Sequence, residues 1–231
     1  MARTNHHEDV LTNLNHLKCK IAISGAAETG HCAIDAVQKA EQLGQIMARM
    51  GIVTVTGATT GMPYWVAKGA KKEGGLVIGI SPAASEMAHI KSYRLPVDYH
   101  DIIIYTGFDY TGRNLLLTRA ADAVIILCGR IGTLNEFTIA FENKTPIGVL
   151  TGTGGIADKL EGIVKDSHRG PGHIVYDSDP ETLVKKLHVV MERVKKENYG
   201  RNHADLGALA QNFHAVVEKE RVDHYTKKRG A

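Results

Sequence analysis

Two glycine-rich segments, far apart in the chain, carry residue types suited to holding an anion. The first is Thr56-Gly57-Ala58-Thr59-Thr60-Gly61. The second is Cys128-Gly129-Arg130-Ile131-Gly132-Thr133-Leu134-Asn135-Glu136. Each falls between a run that reads as a strand and a segment with helical spacing. Small residues let the backbone approach a ligand, and a helix start offers unpaired N–H groups to negative charge. Two such loops at the ends of separate strands are able to meet on one phosphate. A third segment, Thr111-Gly112-Arg113-Asn114, opens a helix with an arginine. Its forked guanidinium suits a phosphate or a ribose hydroxyl, and the competing reading is a solvated surface arginine. Thr151-Gly152-Thr153-Gly154-Gly155 is a further turn of this kind, either a ligand contact or a plain strand exit.

Several chemistries lack their residues. The first loop has no GK[ST] and is not GxGxxG, and no acidic residue ends the strand before it to hold a ribose. The twelve histidines form no HExxH, and no GxSxG elbow is present, so no metal site is expected. Three cysteines, Cys19, Cys32 and Cys128, show no CxxC spacing. Neither a disulfide nor zinc is therefore expected, and a reducing cytoplasm is the simpler setting. Cys128 reads as a small apolar residue closing a strand. Glu136 has a purely local explanation too: Thr133 to Glu136 is T-x-x-E, a capping box. Tyr64 and Trp65 follow the first loop and suit either base stacking or helix packing.

The elements that must position these residues follow from periodicity. Strands are expected at 20–24, 52–56, 76–80, 101–105, 123–127, 146–150 and, weakly, 173–176. Helices are expected at 33–50, 62–73, 112–120, 133–143 and 156–166. One more opens with Asp179 as N-cap and Pro180 in the first turn. AVIIL and DIIIY lack alternation, as strands covered on both faces do. The alternation of strands and helices implies a doubly wound, Rossmann-like α/β fold in one domain, with a mostly parallel sheet of about seven strands. Such sheets bind ligands at the carboxyl ends of their strands, where strand order reverses. Residues 1–18 read as an appendage and 19–197 as the binding domain. Residues 198–231 read as a basic helical extension, with an apolar stripe at 206–217 suited to packing or to a sister subunit.

Composition bounds the alternatives. The chain has 231 residues, 43% hydrophobic and 23% charged, with net charge +3. That apolar content is a globular protein's, and no apolar run nears the roughly 20 residues of a membrane span. The N-terminus has no apolar signal-peptide core. Residues 1–180 hold 17 Lys/Arg against 18 Asp/Glu, and residues 181–231 hold 11 against 7. The charge excess is confined to the C-terminal end, so capture of a nucleic acid polymer by the body is not expected.

VTGATTGMPYWVAKGA with GGLVIGISP, followed by GRNLLLTRAADAVIILCGRIGTLNE, resembles the LONELY GUY (LOG) family, long labelled lysine decarboxylase-like. The resemblance covers roughly residues 19–195. The GRN triplet and the TGTGG turn are more similar to the related branch of molybdenum cofactor carrier proteins. The family resemblance implies N-glycosidic cleavage of a nucleoside 5′-monophosphate, such as AMP or a cytokinin riboside monophosphate. It assigns the catalytic roles to Arg113 and Glu136. It assigns phosphate gripping to Gly57, Ala58, Thr59, Thr60 and Gly61 and to Gly129, Arg130, Ile131, Gly132 and Thr133, with Asn114 beside them. It implies no cofactor, and a homodimer or larger assembly.

The chemistry is coherent: a carboxylate beneath the ribose would stabilise an oxocarbenium-like state, and the arginine would position the sugar phosphate. Decarboxylation is not, because neither glycine loop contains a lysine for a Schiff base. Four positions depart from the family pattern: Cys128 replaces proline, Arg130 a glycine, Asn135 a glutamate and Asn114 a lysine. These departures point toward the alternative, a carrier or sensor that holds a nucleotide- or molybdopterin-like phosphate ligand without turnover.

Overall fold

The computed structural model describes residues 17–197. The appendage, save residues 17 and 18, the basic extension and the stripe at 206–217 lie outside the described residues. The chain divides into two compact units, residues 1–190 and 191–231, and the first contains the sheet and all the candidate residues.

Among the described residues there are seven strands: β1 (Lys20–Gly25), β2 (Val53–Thr56), β3 (Val77–Ser81), β4 (Ile102–Tyr105), β5 (Ala123–Leu127), β6 (Ile147–Leu150) and β7 (Ile174–Asp177). All pair in parallel, in the order β4-β3-β2-β1-β5-β6-β7. Between them run α1 (Ala36–Arg49), α2 (Met62–Lys72), α3 (Asp109–Arg119), α4 (Ile131–Glu142) and α5 (Leu160–Asp166). A π-helical turn, Ala88–Ser92, precedes β4, and a 3-10 turn, Ala157–Lys159, leads into α5. Residues 180–197 are helical (α6). As expected, Asp179 caps α6, its Oδ1 accepting the Thr182 N–H at 2.8 Å.

β5 is buried at every residue, as its unbroken apolar run requires. β4 is not. Its residues alternate in exposure, with Ile102 and Ile104 about half exposed. DIIIY therefore corrects the expectation of a strand covered on both faces: it is an edge strand with an apolar open face. The main core joins Ala22, Val55, Val124, Ile126 and Val149 on the sheet to Phe137 of α4 and Leu160 of α5.

The chain builds outward from β1 to β4 and then returns, through α3, to lay β5 on the other side of β1. Strand order therefore reverses between β1 and β5. At that seam the carboxyl ends diverge and leave a crevice, and the loops after β1, β2 and β5 all open there.

Candidate functional site

Arg113 and Glu136 face each other at this seam. Arg113 lies on α3 and Glu136 on α4, the helices before and after β5. Arg113 Nη1 stands 3.5 Å from Glu136 Oε1, and both residues are only 6% exposed. Ser24, near the end of β1, donates its hydroxyl to Glu136 Oε2 in a short hydrogen bond. The Asn114 amide is best satisfied with its nitrogen toward the Tyr110 carbonyl and Glu136 Oε1, 2.9 Å from each. In the reversed orientation it donates to Asn135 Oδ1 at 2.9 Å.

Burial pushes the Glu136 carboxyl above its usual range, against the opposing pull of Arg113 and Ser24. Burial likewise lowers the Arg113 guanidinium, opposed by Glu136; it remains a cation. Arg113 Nε is buried without a hydrogen-bond partner.

The first glycine loop serves this pair directly. A Cβ on Gly57 would fall 1.8 Å from Arg113 Nη1 and 2.6 Å from its Cζ. The guanidinium thus lies against the bare Cα. Gly57 is glycine to admit a side chain of the protein itself. Thr56 anchors the loop by accepting the Ala58 N–H at 3.0 Å, which holds Ala58 at φ +51°. Behind Thr56 stands His100, whose Nε2 is 2.7 Å from Thr56 Oγ1 and whose Nδ1 meets the Asp98 carbonyl at 2.9 Å. Burial, the largest influence, lowers the His100 pKa despite that carbonyl. The neutral ring therefore donates from Nδ1 and accepts from Thr56. Farther along, Thr59 is buried and Thr60 exposed, and Thr60 Oγ1 donates to the Ala27 carbonyl at 3.0 Å. Gly61 (φ +74°) lets Met62 donate to Ala26 at 2.8 Å, tying α2's start to the loop after β1.

The second loop corrects the capping-box expectation. α4 begins at Ile131, with Arg130 as its extended N-cap. Thr133 is already inside the helix, so Glu136 cannot close back onto it and turns into the crevice instead. Gly129, at φ +99°, makes this early start possible, and a Cβ there would strike the Thr133 side chain. Neither α2 nor α4 has a side-chain cap on its first turn. Ile131 is strongly exposed and Gly132 borders open space. The Arg130 side chain does not fill the loop but lies on its rim, 3.0 Å from Glu28, both side chains more than half exposed.

The TGTGG turn acts as a buttress. Thr153, buried, accepts the Cys128 N–H at 2.8 Å and donates to the Leu150 carbonyl at 2.6 Å. Tyr64 and Trp65 take the packing alternative, since Tyr64 stacks edge-on against both Trp65 and Tyr99. A second correction concerns the cysteines. Cys32, in the loop after β1, is disulfide-bonded to Cys128 at the end of β5. A separation of 96 residues leaves no local pattern to read, but the strand order brings these two loops side by side.

The SLOG cluster4 family profile matches residues 18–184, most of the chain. The chain belongs to that family. This SLOG cluster4 protein is 31% identical over 123 residues to an uncharacterized protein of Archaeoglobus fulgidus, covering 53% of this chain and 76% of that one. A molybdenum cofactor binding protein from the phototrophic bacterium Rippkaea orientalis has the same fold. It superimposes with TM-score 0.59 at 27% identity, over 76% of this chain and 99% of that one. The molybdenum cofactor carrier protein of Chlamydomonas reinhardtii superimposes with TM-score 0.61 at 22% identity, with the same coverage. The expected placement near the carrier branch of a LOG-like family stands on these matches.

At this seam the structure unites Arg113, Asn114, Glu136 and Gly57, and places Ala58 to Gly61 with Gly129 and Arg130 on the loops around them and Ile131 to Thr133 in the first turn of α4. Two supporting residues were missed from sequence, Ser24 and His100, and Thr153 was singled out only as part of a turn, not as a buttress. SGAAETG, a glycine-containing run closing β1, hinted at the first. Nothing in the sequence marks His100.

Proposed function

We propose that this protein binds a small phosphate-bearing ligand, nucleotide-like or pterin-like, at the β1/β5 seam and holds it intact, as a carrier or sensor. The observation that carries this reading is the state of Glu136. Its carboxylate is nearly sealed from solvent and already receives Ser24, Arg113 and Asn114. It anchors the arginine and is not presented to a sugar or a water. The uncapped start of α4 remains open to a phosphate, with Gly132 facing free space. The likeness to a molybdenum cofactor binding protein supports a ligand of that size and charge.

One observation favours a second reading, the phosphoribohydrolase: Arg113 and Glu136 do lie together, as cleavage of a nucleoside monophosphate requires. The two separate cleanly. Native mass spectrometry of the purified protein should reveal an intact phosphate-containing ligand, and incubation with AMP or isopentenyladenosine monophosphate should release no base. Release of free base, abolished in Glu136→Gln, would overturn the carrier in favour of the hydrolase.

Assembly belongs to the same proposal. Ile102 and Ile104 of β4, with Phe108, Leu115 and Leu116 in and before α3, are exposed apolar side chains suited to a second copy. Light scattering of the purified chain should give a dimer or larger, and a monomer refutes it.

A further inference from the structure

We infer that His31, Cys32 and Cys128 form, once the disulfide is reduced, a three-ligand site for a thiophilic divalent ion of the zinc class. The inference is independent of the ligand proposed for the seam. His31 Nε2 and the two sulfurs all lie within 4.8 Å of one another. His31 Nε2 stands 3.5 Å from Cys128 Sγ. Metal–ligand lengths of about 2.3 Å to sulfur and 2.0–2.1 Å to nitrogen put the S···N edge of a tetrahedron at about 3.5 Å. One edge of the site is therefore already set. The bonded sulfurs need only separate to about 3.8 Å, the S···S edge of the same tetrahedron. With Cα atoms 5.6 Å apart, side-chain rotation supplies this.

Backbone contacts other than the disulfide hold both cysteines in place. Cys32 bridges to Gly154, Ala33 donates to the Thr153 carbonyl at 3.0 Å, and Cys128 donates to Thr153 Oγ1 at 2.8 Å. The Cys128 carbonyl in turn accepts from Ala157 at 2.9 Å. Exposure is graded as an entry path requires: Cys128 is fully buried, Cys32 half-buried and His31 exposed. Three protein ligands leave one coordination position open, as in zinc sites that bind a further molecule. Chain spacing hides this set, since its members come from loops after β1 and β5.

The redox step balances. A dithiol gives two electrons and two protons to the Cys32–Cys128 bond, becoming a disulfide while the protein gains two thiols. Zinc then displaces both thiol protons and binds the thiolates and the neutral imidazole.

The test uses the full chain with zinc alone. Protein reduced by a phosphine, then freed of it, should bind one further zinc per chain over the diamide-oxidised protein, by competition with a chromogenic chelator. Cobalt(II) in place of zinc should give a thiolate-to-metal charge-transfer band, lost in Cys32→Ser. His31→Ala, a change at an exposed residue, should weaken zinc binding at least tenfold. The inference is overturned if the reduced protein binds no more zinc than the oxidised. It is equally overturned if Cys32→Ser and His31→Ala bind as tightly as the native chain, or if the disulfide yields only on unfolding.

Discussion

Adding one methyl group at Gly57 tests how the site is built. In Gly57→Ala the new Cβ would sit 1.8 Å from Arg113 Nη1 and 2.6 Å from Cζ, so the guanidinium must leave its place. The backbone imposes no penalty, because Gly57 is not among the residues with positive φ. The cost falls on the ion pair. Arg113 and Glu136 are each 6% exposed, and separating a buried pair leaves charge uncompensated at about 3–5 kcal/mol. Partial relaxation of the long arginine reduces that, so a loss of about 2–4 kcal/mol is expected from equilibrium urea unfolding, with m unchanged. A double-mutant cycle isolates the cause. Arg113→Ala should be destabilising alone, and adding Gly57→Ala to it should change little, because the clashing group is gone. Two results would refute the reasoning: Gly57→Ala within 0.5 kcal/mol of native, or a double variant showing the sum of both losses.

Three further outcomes follow from the site. Burial raises the Glu136 carboxyl, so this group favours the fold most below its unfolded value of about 4.3 and loses that contribution as pH rises through the folded value. In Glu136→Gln that fall with rising pH should disappear; denaturation curves that stay parallel between pH 4 and 8 would contradict it. Burial lowers His100, so its contribution is present above its unfolded value of about 6.5 and is lost as pH falls through the folded one. His100→Gln should flatten stability on the acid side of neutrality, and an unchanged acid limb would count against the neutral-ring assignment. Under oxidising conditions Cys32→Ser should lose about 4–5 kcal/mol, the chain-entropy value for a disulfide that closes a loop of 96 residues. Under full reduction the gap to native should vanish, and a gap that persists would show that the sulfur bridge is not its source.

The elements were legible where local pattern decides them. Each expected strand lies within one residue of the observed one, because apolar runs bounded by turn residues leave little choice. Helix starts were read less well: α3 and α4 begin earlier than expected, at Asp109 for Gly112 and Ile131 for Thr133, and α1 and α5 later, at Ala36 for Ala33 and Leu160 for Ile156. At α4 the T-x-x-E pattern outweighed the positive φ that Gly129 permits. The same pattern offered Glu136 a capping alternative that the structure does not take. Arg113 and Glu136 were legible as a pair through family resemblance, not through spacing. What remained hidden depends on strand order. Ser24 meets Glu136 across 112 residues and Cys32 meets Cys128 across 96, and neither is readable until β5 is known to lie beside β1. DIIIY misled for the same reason, because a strand's apolar run does not say whether a neighbour covers it.

The insertion of β5 beside β1 also dictates when the site can exist. Ser24 is made early, Arg113 past the middle of the described sheet and Glu136 after it, and long-range parallel pairing of this kind forms late. A chain that ends before α4 holds only part of the crevice. A phosphate compound bound as proposed above would, by mass action, stabilise molecules with the finished crevice over those that lack α4.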